Sequence, residues 1–383
     1  MEDKLRKILE MNQPENRYKH VYEWKGKGGK VIGLISNYVP EELFTATDIL
    51  PFRITGSWRE NVQHAKVYRP ENSCGFCNHV LESYLAGEFD ILDGIVAADI
   101  DQDVVRLLDV MSYLKRIRFI YIVHVPFTNR SELNYRYFAN ELKRLSQKLC
   151  RIGGKEITDD DLLCAIKLHD EIRGLLSAVY DMRKREHPPV SGEEVLRLIS
   201  SVCVMPKSEA LKELKVILPY IRTRKANLKS LSPRLMIISD MLDHPGYLDL
   251  VEATGSVVVM DDMDLGSRYV YLPPANGEED PFLSLATRYL KRHGSARMAT
   301  WGEQADQIIA WVNEFKVDGI LGLPLAWCYP HQYRIPYLVF RFDQSGIPNI
   351  FIDREYHLSN VGQLRTRIGA FIESLRKEGK KWT

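Results

Sequence analysis

The chain has 383 residues, of which 45% are hydrophobic and 27% charged, and its formal net charge is +1. This length predicts two or three domains, because one hydrophobic core seldom extends over so many residues. The near-neutral charge excludes the strongly basic surface of a typical nucleic-acid-binding protein. Because no run of about 18 apolar residues occurs, we expect no membrane span. The polar first segment does not resemble a signal peptide, and the six scattered cysteines are typical of a reducing cytoplasm.

Short apolar segments alternate with helical ones after a polar helical extension over residues 1–29. A helix is predicted to begin near Pro40, where a proline precedes two acids. Two more helices are predicted over 76–87 and 101–114. The predicted strands of this region are 30–40, 49–55, 90–99 and 118–126. This alternation favours a parallel sheet that is covered by helices.

Residues 131–224 have helical periodicity throughout, and Thr158 and Asp161 have the spacing of a capping box. The alternation returns from residue 232. Its predicted strands are 233–240, 256–264, 317–327 and 348–353, and its predicted helices are 246–255, 281–294, 302–316 and 362–378.

The predicted fold class is therefore α/β, with two Rossmann-like, doubly wound parallel-sheet domains joined by a helical segment. We place the N-terminal domain at 30–130, the helical connection at 131–231 and the C-terminal domain at 232–383.

In open α/β sheets, ligands bind beyond the carboxyl ends of the strands. The residues that follow the predicted strands are therefore candidates for a site. They are 36–38, 55–58, 99–103, His124, Asp240, 261–268 and 327–328.

Two cysteines, Cys74 and Cys77, stand three positions apart at the start of a predicted helix, where the helix dipole favours a thiolate. A structural zinc site usually needs a second ligand pair, and none is nearby. A thioredoxin-like redox pair is disfavoured, because the strand before it is weak and the motif has no Trp-Cys start. Two buried, inert thiols remain possible from the local sequence. A fourth alternative is an iron–sulfur site built from separated elements, with Cys328 after a late strand as a further ligand.

The order and spacing of several motifs resemble the small subunit of the 2-hydroxyacyl-CoA dehydratase and ATP-dependent (class I) benzoyl-CoA reductase family. The resemblance covers about residues 30–375. The motifs are "IGLISNYVPEELFTATDILPFRITG", Cys74 with "LAGEFDILDGIV", "VVVMDDMDLGSRY", "VDGILGLPLAWC", "SGIPNIFID" and "GQLRTRIGAFIE".

This resemblance implies two Rossmann-like domains and a [4Fe–4S] cluster. It also implies a heterodimer with a homologous large catalytic subunit, a separate ATP-hydrolysing electron activator and an acyl-CoA substrate. The family's first and third cluster cysteines fall on Cys74 and Cys328. Its second falls where this chain has Asp101, a harder ligand than a thiolate. Asp101 or Cys77 would then complete the metal site, or the subunit holds no cluster.

Other residues near the strand ends have a functional and a structural interpretation. His79 and His124 are candidate proton donors, or histidines with purely structural partners. Trp58 and Trp327 are candidate walls of an acyl or aryl pocket.

The segment after the strand at 256–264 also allows two interpretations. Gly266 and Ser267 would let the backbone approach a ligand, and Arg268 would meet an acid or a phosphate. Alternatively, Arg268 forms an interdomain salt bridge.

We therefore interpret the chain as the iron–sulfur subunit of a benzoyl-CoA reductase-like oxidoreductase, which reduces an aromatic acyl-CoA by low-potential single-electron transfer. A subunit of a 2-hydroxyacyl-CoA dehydratase, which is a lyase, is the alternative within the family. A non-catalytic subunit for assembly or electron relay is another, since Asp101 replaces a cysteine. A nucleotide-dependent dehydrogenase is disfavoured because no G-x-G-x-x-G follows the first strand.

Overall fold

The structure is a computed structural model that describes residues 1–153, 155–225, 232–274 and 280–378, with side chains to residue 376. It contains two parallel sheets of four strands. The strands of the first sheet are β1 Lys30–Ile35, β2 Ile49–Arg53, β3 Gly94–Ala98 and β4 Phe119–Val123. Those of the second are β5 Arg234–Ile238, β6 Val257–Asp262, β7 Gly319–Gly322 and β8 Asn349–Phe351. This confirms the predicted fold class.

Helices surround both sheets. Those before and within the first sheet are α1 Glu2–Leu9, α2 Lys19–Gly26, α3 Glu41–Ala46, α4 Gly75–Leu85 and α5 Gln102–Leu114. Those between the sheets are α6 Glu132–Gly153, α7 Asp159–Met182, α8 Gly192–Val202 and α9 Lys207–Thr223. Those within and after the second sheet are α10 Gly246–Glu252, α11 Ser267–Val270, α12 Pro281–Lys291, α13 Trp301–Glu314, α14 Tyr329–Gln344 and α15 Val361–Glu378.

The two sheets have the same strand order. It is β2-β1-β3-β4 in the first and β6-β5-β7-β8 in the second. In each sheet the chain reverses its direction of winding between two central strands, β1 and β3 or β5 and β7. Such a switch point opens a crevice at the carboxyl ends of the strands, where ligands bind in this class of fold.

The central strands are almost entirely apolar because helices cover both faces of each sheet. One face of the first sheet packs against α4 and α5 in a core that continues into the second sheet. Its other face packs against α6, α7 and α12. Helix α12 lies within the predicted C-terminal domain, yet its Leu285 and Leu290 pack with Ile32 and Leu34 of β1. The hydrophobic core therefore joins the two halves of the chain.

The domain boundaries at 30, 131 and 232 stay predictions. The last of them lies beside residues 226–231, which are outside the described part of the chain.

The capping box predicted at Thr158 and Asp161 is present at the start of α7. Among the described residues, the predicted elements omit the four-residue α11 and also α14. Helix α14 contains Pro336 and has Pro330 near its N-terminus. Two prolines within seven residues weaken the helical pattern there.

Candidate metal centre

Three buried cysteines from two distant parts of the chain lie together. Cys74 is the N-cap of α4, Cys77 lies in the first turn of the same helix, and Cys328 is the N-cap of α14. They are 3%, 0% and 6% exposed. The thiol of Cys74 is hydrogen-bonded to both of the others. The fold thus brings together thiols that are more than 250 positions apart in the sequence.

Cys74 is the most acidic of the three. Hydrogen bonds donated by Cys328 and Cys77 hold the pKa of Cys74 well below its usual range, and the nearby Arg69 acts in the same direction. Burial raises the pKa of Cys77, whereas Cys328 has a raised pKa chiefly because it donates to Cys74. The cluster therefore presents one thiolate with two thiol donors, and a thiolate is the form that binds metals.

A cavity of about 60 Å³ lies at the switch points of both sheets. Ser36 follows β1 and Asp101 follows β3, while Asp240 follows β5 and Cys328 follows β7. All four line the cavity, together with Cys74. Cys77 is not among the lining residues, so it contacts Cys74 from within the protein wall.

Asp101 is the N-cap of α5, and its side chain accepts a hydrogen bond from the Asp103 amide at 2.8 Å. Burial, with a contribution from Cys74, raises the pKa of Asp101 to about 7. Its carboxyl group is therefore partly protonated at neutral pH. A cation or a metal bound in the cavity would favour the carboxylate.

Asp240, Cys328 and His331 form a second donor group on the same cavity. Their ligand atoms lie within 4.8 Å of one another, and all three residues are buried. Asp240 also accepts hydrogen bonds from the Leu325 amide at 3.1 Å and from Arg354 at 3.0 Å. Burial holds the pKa of His331 well below its usual range, so this imidazole is neutral and has a free lone pair.

The residues around this cavity fit a metal or an iron–sulfur group. Thiolates are soft ligands that select iron–sulfur clusters, and a carboxylate or an imidazole can complete such a set. The cavity walls are otherwise largely apolar, with Ile35, Phe76, Ile100, Val104 and Leu325. An apolar wall limits the access of water to a bound group.

Backbone strain flanks the cavity on both sides. Ser36 has φ +87° directly after β1, and Trp327 has φ +63° directly before Cys328. Residues other than glycine seldom adopt such values, and those that do concentrate at functional sites. The tight turns at these two residues aim the cavity-lining side chains that follow β1 and β7.

The sequence patterns assign no role to Asp240 or His331. They mark Asp240 only as a residue that follows a strand. Cys328 and His331 have a Cys-x-x-His spacing. This spacing brings the two side chains to one face only if the segment is helical. Because the sequence pattern does not predict α14, this signal is not recognisable before the structure is known.

The two predicted proton donors lie outside the cavity lining. His79 is 4% exposed, its Nδ1 lies 2.7 Å from the Ser57 carbonyl oxygen, and burial lowers its pKa to about 4. It is therefore a neutral donor to the backbone at pH 7. His124 is largely exposed and pairs with Asp99 at 3.0 Å.

The two predicted tryptophan walls also lie outside the cavity lining. The ring of Trp58 lies 4.7 Å from that of His244, and Trp58 borders a separate surface cavity of about 410 Å³. Trp327 is 44% exposed beside Cys328. Both assignments stay predictions.

Residues 266–268 make polar contacts with acids that lie close to them in the C-terminal half of the chain. The Ser267 amide donates to Asp261 at 2.7 Å. Arg268 is fully buried and pairs with Asp262 at 2.6 Å and with Asp264 at 3.0 Å. Of these residues, Asp264 lines the cavity. Arg268 thus orients an acid at the cavity edge.

Within the described residues, every helix is too short or too polar to cross a bilayer.

Comparison with known proteins places the chain in a family. The model of the family "2-hydroxyglutaryl-CoA dehydratase, D-component" matches residues 36–375. The chain is 27% identical to the (R)-phenyllactyl-CoA dehydratase beta subunit of Clostridium sporogenes, over 94% of this chain and 96% of that protein. It is 25% identical to a subunit of the benzoyl-CoA reductase of Thauera aromatica, over 92% of this chain and 93% of that protein.

A third relative is the (R)-2-hydroxyglutaryl-CoA dehydratase beta subunit of Acidaminococcus fermentans, which is 23% identical over 92% of this chain and 94% of that protein. All three relatives are named as subunits of enzymes that act on CoA thioesters. The family match extends over nearly the whole chain, including Cys74, Asp101 and Cys328. The chain belongs to the 2-hydroxyglutaryl-CoA dehydratase D-component family.

Proposed function

We propose that this chain is the iron–sulfur subunit of an enzyme that acts on CoA thioesters by single-electron transfer. The convergence of the buried Cys74 and Cys328 on one cavity, with Cys77 hydrogen-bonded to Cys74 from behind, supports the proposal most directly. Cys74 and Cys328 would bind a [4Fe–4S] cluster, and Asp101 or Cys77 would supply a further ligand. When bound, such a cluster accepts and delivers one electron at low potential.

The chain's own residues would bind the group and protect it from solvent. The hydrogen bonds to Cys74 maintain its thiolate form, and the N-terminus of α4 further stabilises negative charge there. Asp240 and His331 would either orient Cys328 or supply the remaining ligand to the cluster. The apolar wall would exclude water.

Within this proposal, we favour a benzoyl-CoA reductase-like activity on an aromatic acyl-CoA. The similarity to the benzoyl-CoA reductase of Thauera aromatica supports it. The comparable identity to a dehydratase beta subunit favours the second candidate, a 2-hydroxyacyl-CoA dehydratase. In both, a homologous large subunit and an ATP-hydrolysing electron activator would be the partners.

The first experiment is to measure iron and acid-labile sulfide in the chain, purified without oxygen both alone and with its co-purifying partner. We expect about four irons per chain. Cys328→Ala should lose iron and activity together while the protein stays folded. Cys164→Ala is the matched control, because Cys164 is exposed.

Full iron content in Cys328→Ala would remove the cluster assignment. Iron found in the partner alone would instead favour a subunit for assembly or electron relay. Assays of the loaded complex with activator and ATP would then compare benzoyl-CoA with 2-hydroxyacyl-CoA thioesters. Ring reduction supports the reductase, and loss of water supports the dehydratase.

A further inference from the structure

Three buried arginines surround a second, smaller cavity, separate from the cysteine cavity. Arg53 comes from β2, Arg173 from α7, and Arg292 directly follows α12. Their exposed fractions are 2%, 6% and 6%. The cavity has a volume of about 10 Å³, which is room for about one water-sized particle.

The positive charge around this arginine cavity exceeds the negative charge. Arg53 and Lys207 pair with Glu41 at 3.3 and 2.8 Å, and Arg173 pairs with Glu42 at 2.6 Å. Together with Arg292, these groups are four cations and two carboxylates, which leaves an excess of two positive charges. Lys207 and Glu42 belong to this group through their ion pairs and lie outside the cavity lining.

The nearest other charged groups do not correct this excess. Burial lowers the pKa of His169 to about 4, so it is neutral at pH 7. Asp170 lies 3.7 Å from Arg173 but pairs more closely with Arg288, and Asp264 pairs with Arg268. Each of these acids therefore comes with a further arginine, and the excess is unchanged.

Arg292 has no carboxylate within 4 Å among the residues that the structure describes. Its Nη1 donates to the Asn37 carbonyl oxygen at 2.8 Å, and its guanidinium lies 5.1 Å from the centre of the Tyr38 ring. A buried cation without a counter-ion is strongly disfavoured, so proteins pair such groups.

Each of the three arginines also has unpartnered donors. The Nε atoms of Arg53, Arg173 and Arg292, and Nη1 of Arg53, are buried without a hydrogen-bond partner. Other buried arginines, such as Arg183 and Arg334, also have donors of this kind. The three arginines here differ in that they line one cavity and include a cation without a carboxylate partner, which indicates a missing acceptor. An acceptor that also carries negative charge would satisfy both the donors and the charge excess.

We infer that the arginine cavity binds one small monovalent anion of the size of chloride. The anion would accept hydrogen bonds from guanidinium groups and neutralise part of the excess charge. Its ligands come from the first sheet, the helical connection and the region after α12. The bound anion would therefore hold together three parts of the chain that lie far apart in sequence.

Crystals grown with bromide in place of chloride give the direct test. We expect an anomalous-scattering peak enclosed by Arg53, Arg173 and Arg292. Unfolding temperatures complement it, measured in sodium chloride and in sodium gluconate at equal ionic strength. Gluconate is too large for the cavity, so chloride should raise the unfolding temperature by a few degrees at concentrations well above its dissociation constant.

Arg292→Met should abolish the difference between the two salts, because it removes the unpaired cation at similar side-chain length. Arg106→Met is the control, since Arg106 is exposed on α5, and it should keep the difference. Equal unfolding temperatures in both salts, with no bromide peak in the wild type, would overturn the proposal. If Arg292→Met does not fold, the bromide map of the wild type decides alone.

Discussion

At the scale of single residues, Asp101 distinguishes this chain from the expected all-cysteine ligand set. The residue is the N-cap of α5, and Cys328 is the N-cap of α14, so the two occupy equivalent places after β3 and β7. An aspartate suits this place structurally because its side chain caps the helix. A cysteine would supply a softer ligand there but a weaker cap.

We predict that Asp101→Cys slows the loss of iron from the anaerobically purified protein to a chelator, because thiolate binds iron–sulfur groups more firmly than carboxylate does. The measurement is the rate of iron release. Asp109→Cys, on the exposed side of the same helix, is the control and should match the wild type. Release at the wild-type rate from Asp101→Cys would show that residue 101 does not contact the metal.

Glu42 illustrates how strongly a buried charge depends on its partners. It is fully buried and accepts from Arg173 at 2.6 Å and from the Tyr289 hydroxyl at 2.7 Å. Although burial opposes ionisation, Arg173 holds the pKa of Glu42 well below its usual range. Its stabilising effect is therefore present at neutral pH and is lost only in strong acid.

Glu42→Gln should lower the free energy of unfolding by about 3–5 kcal/mol. The substitution removes the close, buried counter-ion of Arg173 and leaves only the half-exposed Asp170, at 3.7 Å. Urea titration at pH 7 measures the change. Glu132→Gln removes an exposed pair with Arg136 and should cost less than about 1 kcal/mol. Equal effects of the two substitutions would contradict the assignment of Glu42 as a charged, buried partner.

At the scale of elements, the turn between β6 and α11 requires a glycine. A Cβ atom on Gly266 would lie 2.1 Å from Oδ1 of Asp261. Asp261 cannot easily move, because the Ser267 amide and the Tyr180 hydroxyl bind its carboxylate at 2.7 and 2.5 Å. The absence of a Cβ atom at Gly266 therefore leaves room for the buried carboxylate of Asp261.

We predict that Gly266→Ala destabilises the protein by about 1–3 kcal/mol through this overlap. Gly369→Ala is the comparison, since a Cβ atom there meets open space on α15. It should stabilise the protein by up to about 1 kcal/mol, because alanine favours helix. Thermal or urea unfolding of both variants checks the opposite signs. A neutral effect of Gly266→Ala would mean that the turn can relax.

Most elements can be predicted from local patterns, and the exceptions have physical reasons. Strands such as Lys30–Ile35 are continuous apolar runs with clear turn signals, and α7 begins with a recognisable capping box. The helix Tyr329–Gln344 escapes prediction because Pro336 lies inside it, and the short helix Ser267–Val270 has too few residues for a period.

The site is predictable only in part. The family resemblance predicts Cys74, Asp101 and Cys328 as site residues, and all three line one cavity. The position of His331 beside Cys328 depends on α14, which the sequence pattern does not predict. The interactions that determine the thiol pKa values, such as the hydrogen bond between Cys74 and Cys328, are contacts at long sequence separation that no local pattern contains.

At the scale of the whole molecule, buried polar contacts join the helical connection to the first sheet. His169 of α7 is 1% exposed, and its Nε2 lies 2.9 Å from the Thr45 hydroxyl of α3. Burial lowers the pKa of His169 to about 4, below its ordinary 6.5. The folded state therefore binds a proton less readily than the unfolded state does. Stability from this group is complete above pH 6.5 and is lost as the pH falls toward 4.

His169→Gln should remove this pH dependence, because glutamine stays neutral. From pH 7 to pH 4, we expect the wild type to lose on the order of 3 kcal/mol more than the variant. Urea midpoints across this range measure the difference. His187→Gln is the control, since His187 is exposed, and its profile should follow the wild type. Parallel profiles for all three proteins would refute the contribution of His169.

The proximity of the three thiols has a consequence for handling the protein in air. An oxidant that removes two electrons and two protons from Cys74 and Cys328 would join them in a disulfide. That bond would link α4 to the start of α14, and so fasten one sheet to the other. Aerobically prepared protein would then be folded, and harder to unfold, yet unable to take up iron until a reductant reopened the bond. Folding alone would therefore be a misleading criterion of quality for a sample intended for reconstitution.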